Sequence, residues 1–177
     1  MLLRLLAALV VALFALPVQA QQADLLDQAI ADATRTFERA LPQLGAAMMG
    51  VDTSAYRDAL KARRFHSART GSARDVIFVI EDSEKGSCAK FAAYVAGVAN
   101  SDAAHMFLCP QFFTPGADLL RETTILHEMV HVVTGTDECQ AMAYTAQIQM
   151  LARGSFVPVA RYWKDNGCVG SRYKLPG

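Results

Sequence analysis

Leu119-Leu120-Arg121-Glu122-Thr123-Thr124-Ile125-Leu126-His127-Glu128-Met129-Val130-His131-Val132-Val133-Thr134 is the stretch from which the rest of the chain is read. Its centre, His127-Glu128-Met129-Val130-His131, has the HExxH spacing. On an α-helix, residues four apart are offset by roughly 40° around the axis and about 6 Å along it. Both imidazoles therefore leave one face and can share a metal ion. Glu128 follows the first histidine, where its carboxylate can reach a water at the metal instead of the metal itself. Two neutral imidazole ligands, a general-base carboxylate and an open position for water make up a zinc-hydrolase arrangement. The bland alternative is two histidines satisfied inside a core.

The surroundings of the motif favour the metal. Ile125, Leu126, Met129, Val130, Val132 and Val133 make the run apolar nearly all the way round, which predicts a helix buried at the centre of the fold. Two histidines and a glutamate on such a helix need partners, and a metal ion supplies them. Thr114 or Asp118 is expected to cap the start of the helix, and Gly135 to mark its end.

The chain has 177 residues, the length of one domain, with 17 basic and 17 acidic side chains. That balance gives no bias toward nucleic acid or an anionic membrane. Residues 1–20 read as a bacterial-type signal peptide. Arg4 supplies the positive region, Leu5 to Leu16 the apolar run, and Val18-Gln19-Ala20 the small-residue cleavage site. Cleavage after Ala20 would leave a periplasmic or secreted protein with no stable membrane insertion. It would leave a single domain over 21–177, with a helical part at 21–74 and the catalytic core at 75–168. The even count of four cysteines suits an oxidising compartment and two disulfides. Three pairings are open, and the preferred one is Cys88–Cys109 with Cys139–Cys168. No close CxxC pair supports a cysteine zinc site.

Helices are predicted from Ala23 to Leu41, ended by Pro42, and from Thr53 or Ser54 to about Arg63. Gly45 to Asp52 reads as a loop, and Arg63 to Arg74 as a solvated polar loop. Strands are predicted at Asp75–Ile80, Phe91–Val98 and His105–Cys109, with a turn at Asn100-Ser101-Asp102. Past the central helix, Thr136 is expected to cap a helix from Asp137 to about Arg153, ended by Gly154. A short helix follows from Val159 to Asp165. A zinc hydrolase needs a third protein ligand. Asp137 and Glu138, just beyond the turn, are the nearest candidates, and either could instead favour the helix dipole. His105 is a weaker candidate, because a strand-borne histidine with no paired motif is more often a sheet-surface residue.

Four segments together resemble the deuterolysin and peptidyl-lysine metalloendopeptidase family, the aspzincins. They are Cys88 with Ala93-Tyr94-Val95, Phe107-Leu108-Cys109-Pro110-Gln111-Phe112-Phe113, Thr124 through His131, and Gly135-Thr136-Asp137-Glu138. The likeness covers roughly Val76 to Cys168. That family carries Gly-Thr-x-Asp-x-x-Tyr-Gly, whose aspartate is the third zinc ligand and whose tyrosine assists the transition state. Matching Gly135 and Thr136 puts Glu138 at the aspartate. It also puts Ala141 where the tyrosine would stand and Met142 at the glycine, and the gap after His131 is shorter than in the family. Tyr144, one helical turn beyond Ala141, is the candidate replacement phenol, or else a core residue. No acidic pocket of the kind that reads substrate in lysine-specific relatives is visible.

The resemblance implies an α+β, zincin-like fold: a small sheet beside a central HExxH helix, with helices before and after. It also implies a zinc metalloendopeptidase acting on protein or peptide substrates; a monomer is expected, though the sequence does not reveal the oligomeric state. His127, His131 and Glu138 would hold one zinc ion per chain, Glu128 would be the general base for a zinc-activated water, and Tyr144 would assist. Two alternatives are kept: a zincin-fold binding protein with little or no activity, favoured by the missing motif tyrosine, and a zinc amidase acting on the cell wall. The intact Glu128 counts against pure binding, which has no need of a base.

Overall fold

A computed structural model describes residues 18–96 and 102–177. The positively charged and apolar parts of the expected signal peptide lie outside those residues, as do Asn100 and Ser101 of the expected turn. The protein is α+β. Helix α1, Val18–Ala40, already begins within the expected cleavage site. Pro42 converts its end into a single 3-10 turn, Leu41–Gln43, because proline offers no N–H to continue an α-helix. Two short strands, β1 (Ala47–Met48) and β2 (Val51–Asp52), pair around the turn at Met49 and Gly50. Helix α2, Thr53–Ala62, follows. Its cap is Asp52, whose carboxylate accepts from the Ala55 N–H at 2.7 Å.

The segment predicted as a polar loop is instead a hairpin. Strand β3, Arg64–Ser67, pairs antiparallel with β4, Ser72–Ile80, which starts three residues earlier than expected. Alternation explains it. Phe65 and Ser67 are buried while Arg64 and His66 are exposed, and Gly71 (φ 66°) closes the turn. The N-terminal part, 21–74, is therefore only partly helical. Strands β5 (Ala93–Ala96) and β6 (Ala103–Leu108) complete a four-stranded sheet in the order β3-β4-β6-β5. β4 and β6 run parallel, and the other pairs are antiparallel.

Helix α3, Asp118–Thr134, carries the histidines and packs against α1, α2, β5 and β6. It also packs against α4, Glu138–Arg153. Its burial runs from Arg121 to Val132, as an all-round apolar pattern predicts, while Leu119 and Leu120 in its first turn are exposed. No side chain caps its start. Ala117 holds the cap position, and Asp118 pairs with Arg121 instead, so neither Thr114 nor Asp118 is a cap. The α1–α2–α4 side of the core is fixed by a file of rings. Phe37, Tyr56 and Tyr144 pack at a tilt with 5.0 Å between successive centroids, and the Tyr56 hydroxyl donates to the Leu126 carbonyl of α3 at 2.8 Å.

Both preferred disulfides are present. Cys88–Cys109 ties the turn before β5 to the end of β6, with Cα atoms 5.2 Å apart. Cys139–Cys168, at 5.4 Å, ties the start of α4 to the segment after α5, Ala160–Asp165. A small second core of Met142, Ala143, Trp163 and Tyr173 packs around that bridge. Among the described residues, no helix is long and apolar enough to cross a membrane.

Candidate metal centre

His127 and His131 leave α3 on the same face, and the next helix brings a carboxylate to them. The chain leaves α3 through Gly135, whose φ of 126° and ψ of −161° suit glycine, and re-enters a helix at Glu138. Glu138 Oε2 lies 3.1 Å from His127 Nε2, and Oε1 lies 3.5 Å from His131 Nε2. The two Nε2 atoms are 3.1 Å apart. Asp137 points elsewhere: its Oδ1 accepts from the Gln140 N–H at 3.0 Å and caps α4. Asp137, not Thr136, is thus the cap, because its shorter carboxylate reaches the orphan amides of the first turn. Of the two candidate acids, Glu138 is the one that joins the histidines.

The donor chemistry of this trio fits a metal ion. His131 Nδ1–H donates to the Gly135 carbonyl at 2.7 Å, which leaves the Nε2 lone pair of the neutral ring facing the cluster. A tetrahedral zinc site with arms of about 2.0–2.1 Å has ligand–ligand edges of about 3.3–3.4 Å. The three separations here, 3.1, 3.1 and 3.5 Å, bracket that edge. Charge agrees: the Glu138 carboxylate between the two imidazoles is an anionic donor that suits a cation. Among the described residues, these three side chains form the group that could hold a metal ion.

Electrostatics separates the two acids by role. Burial pushes the Glu128 carboxyl above the usual range, more than the nearby histidines pull it down. Burial also opposes ionisation of Glu138, but the hydrogen bonds and charges of His127 and His131 outweigh it and hold that carboxyl well below the usual range. For His131, burial disfavours the cation, yet Glu138, Glu128 and the Gly135 carbonyl together raise its affinity for a proton. Glu138 thus holds its negative charge, while Glu128 holds a proton more readily than an exposed carboxyl does.

Two sequence candidates are not at the centre. His105 lies on β6 with its ring against Phe107, at 6.3 Å between centroids. Tyr144 is fully buried on the far side of α4 in the Phe37–Tyr56–Tyr144 file, and its hydroxyl has no hydrogen-bond partner. Six residues on from Glu138, it is offset by about 120° around α4 and faces the core, as Ala141 does. The phenol present at the site is Tyr162 of α5, whose hydroxyl donates to Glu138 Oε2 at 3.3 Å. Burial, with the Glu138 charge beside it, pushes that phenol up to about 12. Motif spacing could not find Tyr162, since it arrives from another helix. The available signal was Cys168, six residues on, bonded to the neighbour of Glu138.

A small groove lined by Glu128, His131, Glu138, Tyr162 and residues of β5 opens beside the trio. An adjoining cavity shares Glu128 and Tyr162 with it and is also lined by His127. No family model matches the chain, and no curated protein or solved structure matches it.

Proposed function

We propose that this protein is a zinc-dependent peptidase exported to an oxidising compartment, with Glu128 as its general base. The observation that carries the proposal is the convergence of His127, His131 and Glu138 at tetrahedral-edge distances, with a buried fourth group, Glu128, beside them at an open groove. The two disulfides suit the compartment. A central HExxH helix beside a small sheet is what a zincin-like fold requires, and the aspzincin resemblance belongs to this proposal.

His127, His131 and Glu138 would hold the metal, which when bound supplies Lewis acidity to a carbonyl and lowers the pKa of water. Glu128 takes a proton from the attacking water and hands it to the leaving amine. Its raised proton affinity suits that double duty: a strongly acidic carboxyl would accept the proton poorly. The Tyr162 hydroxyl, directed at Glu138, stands where it can donate to a carbonyl oxygen that gathers charge in the groove. Tyr162 thereby takes the part of the family's motif tyrosine, for which Ala141 stands in this chain.

The test is digestion of casein and a peptide library with zinc, with a chelator, and after Glu128→Gln. Wild type should cut only with metal. The glutamine variant should bind zinc and keep its fold while hydrolysis falls by about 10²–10⁴-fold. A variant that cuts as fast as wild type would remove Glu128 from the mechanism. A protein that holds zinc and cuts neither casein nor peptides would not be a peptidase, leaving the binding protein and the cell-wall amidase.

A further inference from the structure

An apolar cavity of about 220 Å³ opens beside His127 and Glu128. Leu120 of α3, Met142 and Ala146 of α4, and Val157 and Val159 of the segment between α4 and α5 form its apolar walls. Gln149 fixes that last segment in place. Its amide donates to Thr123 Oγ1 at 2.9 Å, and its carbonyl accepts from the Val157 N–H at 2.9 Å. Both ends of the amide are thus committed, and Gln149 offers a guest little.

Charge is scarce here. Of the lining side chains, Lys90, His127 and Glu128 are the acidic and basic ones, and Lys90 is exposed. No acid other than the catalytic base could meet an incoming ammonium or guanidinium. Burying such a charge unpaired is costly, whereas burying methylenes is favourable. For size, an apolar cavity of about 150 Å³ accepts benzene.

We infer that this cavity receives the substrate side chain next to the scissile bond, selecting a large apolar residue such as leucine, methionine or phenylalanine and rejecting lysine and arginine. The inference rests on the peptidase reading of the adjoining centre. Two wall positions set the preference: Ala146, whose methyl leaves the space open, and Val157, half-buried at the edge.

The test has a cutting arm and a binding arm. In the first, the purified zinc-loaded protein digests a peptide library varied at every position, and mass spectrometry reads the residues flanking each cut. Leucine, methionine and phenylalanine should exceed lysine and arginine on one side of the bond by about tenfold or more. Ala146→Leu should shift the preference to alanine and serine by about tenfold, and Val157→Glu should admit lysine and arginine. If the leucine variant fails to fold, the glutamate variant carries the result alone. Equal cutting at leucine and lysine, or one unchanged profile across the folded variants, overturns the inference.

In the second arm, Glu128→Gln with labelled methionine methyls is titrated with N-acetyl-phenylalaninamide and N-acetyl-lysinamide. The Met142 methyl resonance should move with the first and not the second. Equal movement with both, or none with either, overturns the inference. Selective binding by a protein that cuts no peptide would sink the peptidase reading and leave the cavity's selectivity standing. Hydrolysis with no side-chain preference would do the reverse.

Discussion

The two ends of α3 bury polar groups equally deeply and use them differently. Near its start, Arg121 is 2% exposed and Glu122 8%; near its end, Glu128 is 7% exposed and His131 5%. At the first end every charge has a partner of opposite sign supplied by the fold. Arg121 pairs with Asp118 and donates to the Thr114 carbonyl at 2.9 Å, and Arg153 Nη1 donates to both oxygens of Glu122 at 3.1 and 3.2 Å. At the second end, two carboxylates face two imidazoles, and among the described residues no lysine or arginine pairs with either acid. Depth alone does not distinguish a structural ion pair from a site. Partner type does: the first set is closed by arginine–carboxylate pairs, and the second is a His-His-Glu donor set that could hold a metal ion.

The contrast breaks most visibly by stripping zinc. With free zinc near a thousandfold above its Kd, chelation should remove about 4 kcal/mol of stability, read as a drop in the urea midpoint. Insensitivity of the midpoint to chelator would mean that the second cluster, like the first, is complete without metal.

Glu138→Ala should come next, lowering zinc affinity by at least about a hundredfold, since even supporting contacts at metal sites are worth 10–100-fold. Asp137→Ala should leave the affinity alone and cost about 1 kcal/mol as a lost helix cap. Competition with a coloured chelator separates them, and loss of metal in the Asp137 variant instead would exchange the roles of the two acids.

Glu122→Ala sharpens the comparison from the other end. It orphans Arg153, which is 28% exposed and partly rehydrates, so about 1–2 kcal/mol should be lost. Zinc titration of this variant should match wild type; a change would show that the two ends are coupled along α3.

The smallest effect is a pH dependence away from both ends. The Ala55 N–H and the Ser54 hydroxyl hold the Asp52 carboxyl below its usual range. A depressed pKa in the folded state contributes stability above the unfolded value near 3.9. That contribution fades as pH falls below it toward the folded pKa. Because Asp52 is exposed, the loss should be about 0.5–1 kcal/mol. Asp52→Asn should flatten that part of the urea midpoint between pH 5 and 3. An unchanged slope would show that the cap carries none of it.

What could be read from the chain was what repeats or pairs locally. The apolar run around His127 and His131 announced a central helix, and the helices at Thr53–Ala62 and Glu138–Arg153 carry their own start and stop residues. Cysteine count and compartment led to the two bridges. Strand β3 was hidden because Arg64 and His66 dominate its composition, and its alternation acquires meaning only against β4. Tyr144 and Tyr162 show the same limit at the site. Spacing along one helix proposed the first, but its face of α4 is the one that Ala141 also turns to the core, among Phe37 and Tyr56. The second is 24 residues from Glu138, and tertiary packing alone brings it there.

Gly135 does two jobs with one residue. Its backbone, at φ 126°, stops α3 and turns the chain toward Glu138, while its carbonyl fixes the tautomer of His131. A Cβ at this position would find room, with its nearest neighbour an Arg69 nitrogen 3.9 Å away, yet any L side chain would resist the dihedral. Mutational tolerance here is therefore governed by torsion rather than by crowding. Replacing Gly135 would register at the metal site as a misaimed His131 imidazole, with no clash nearby to mark the cause.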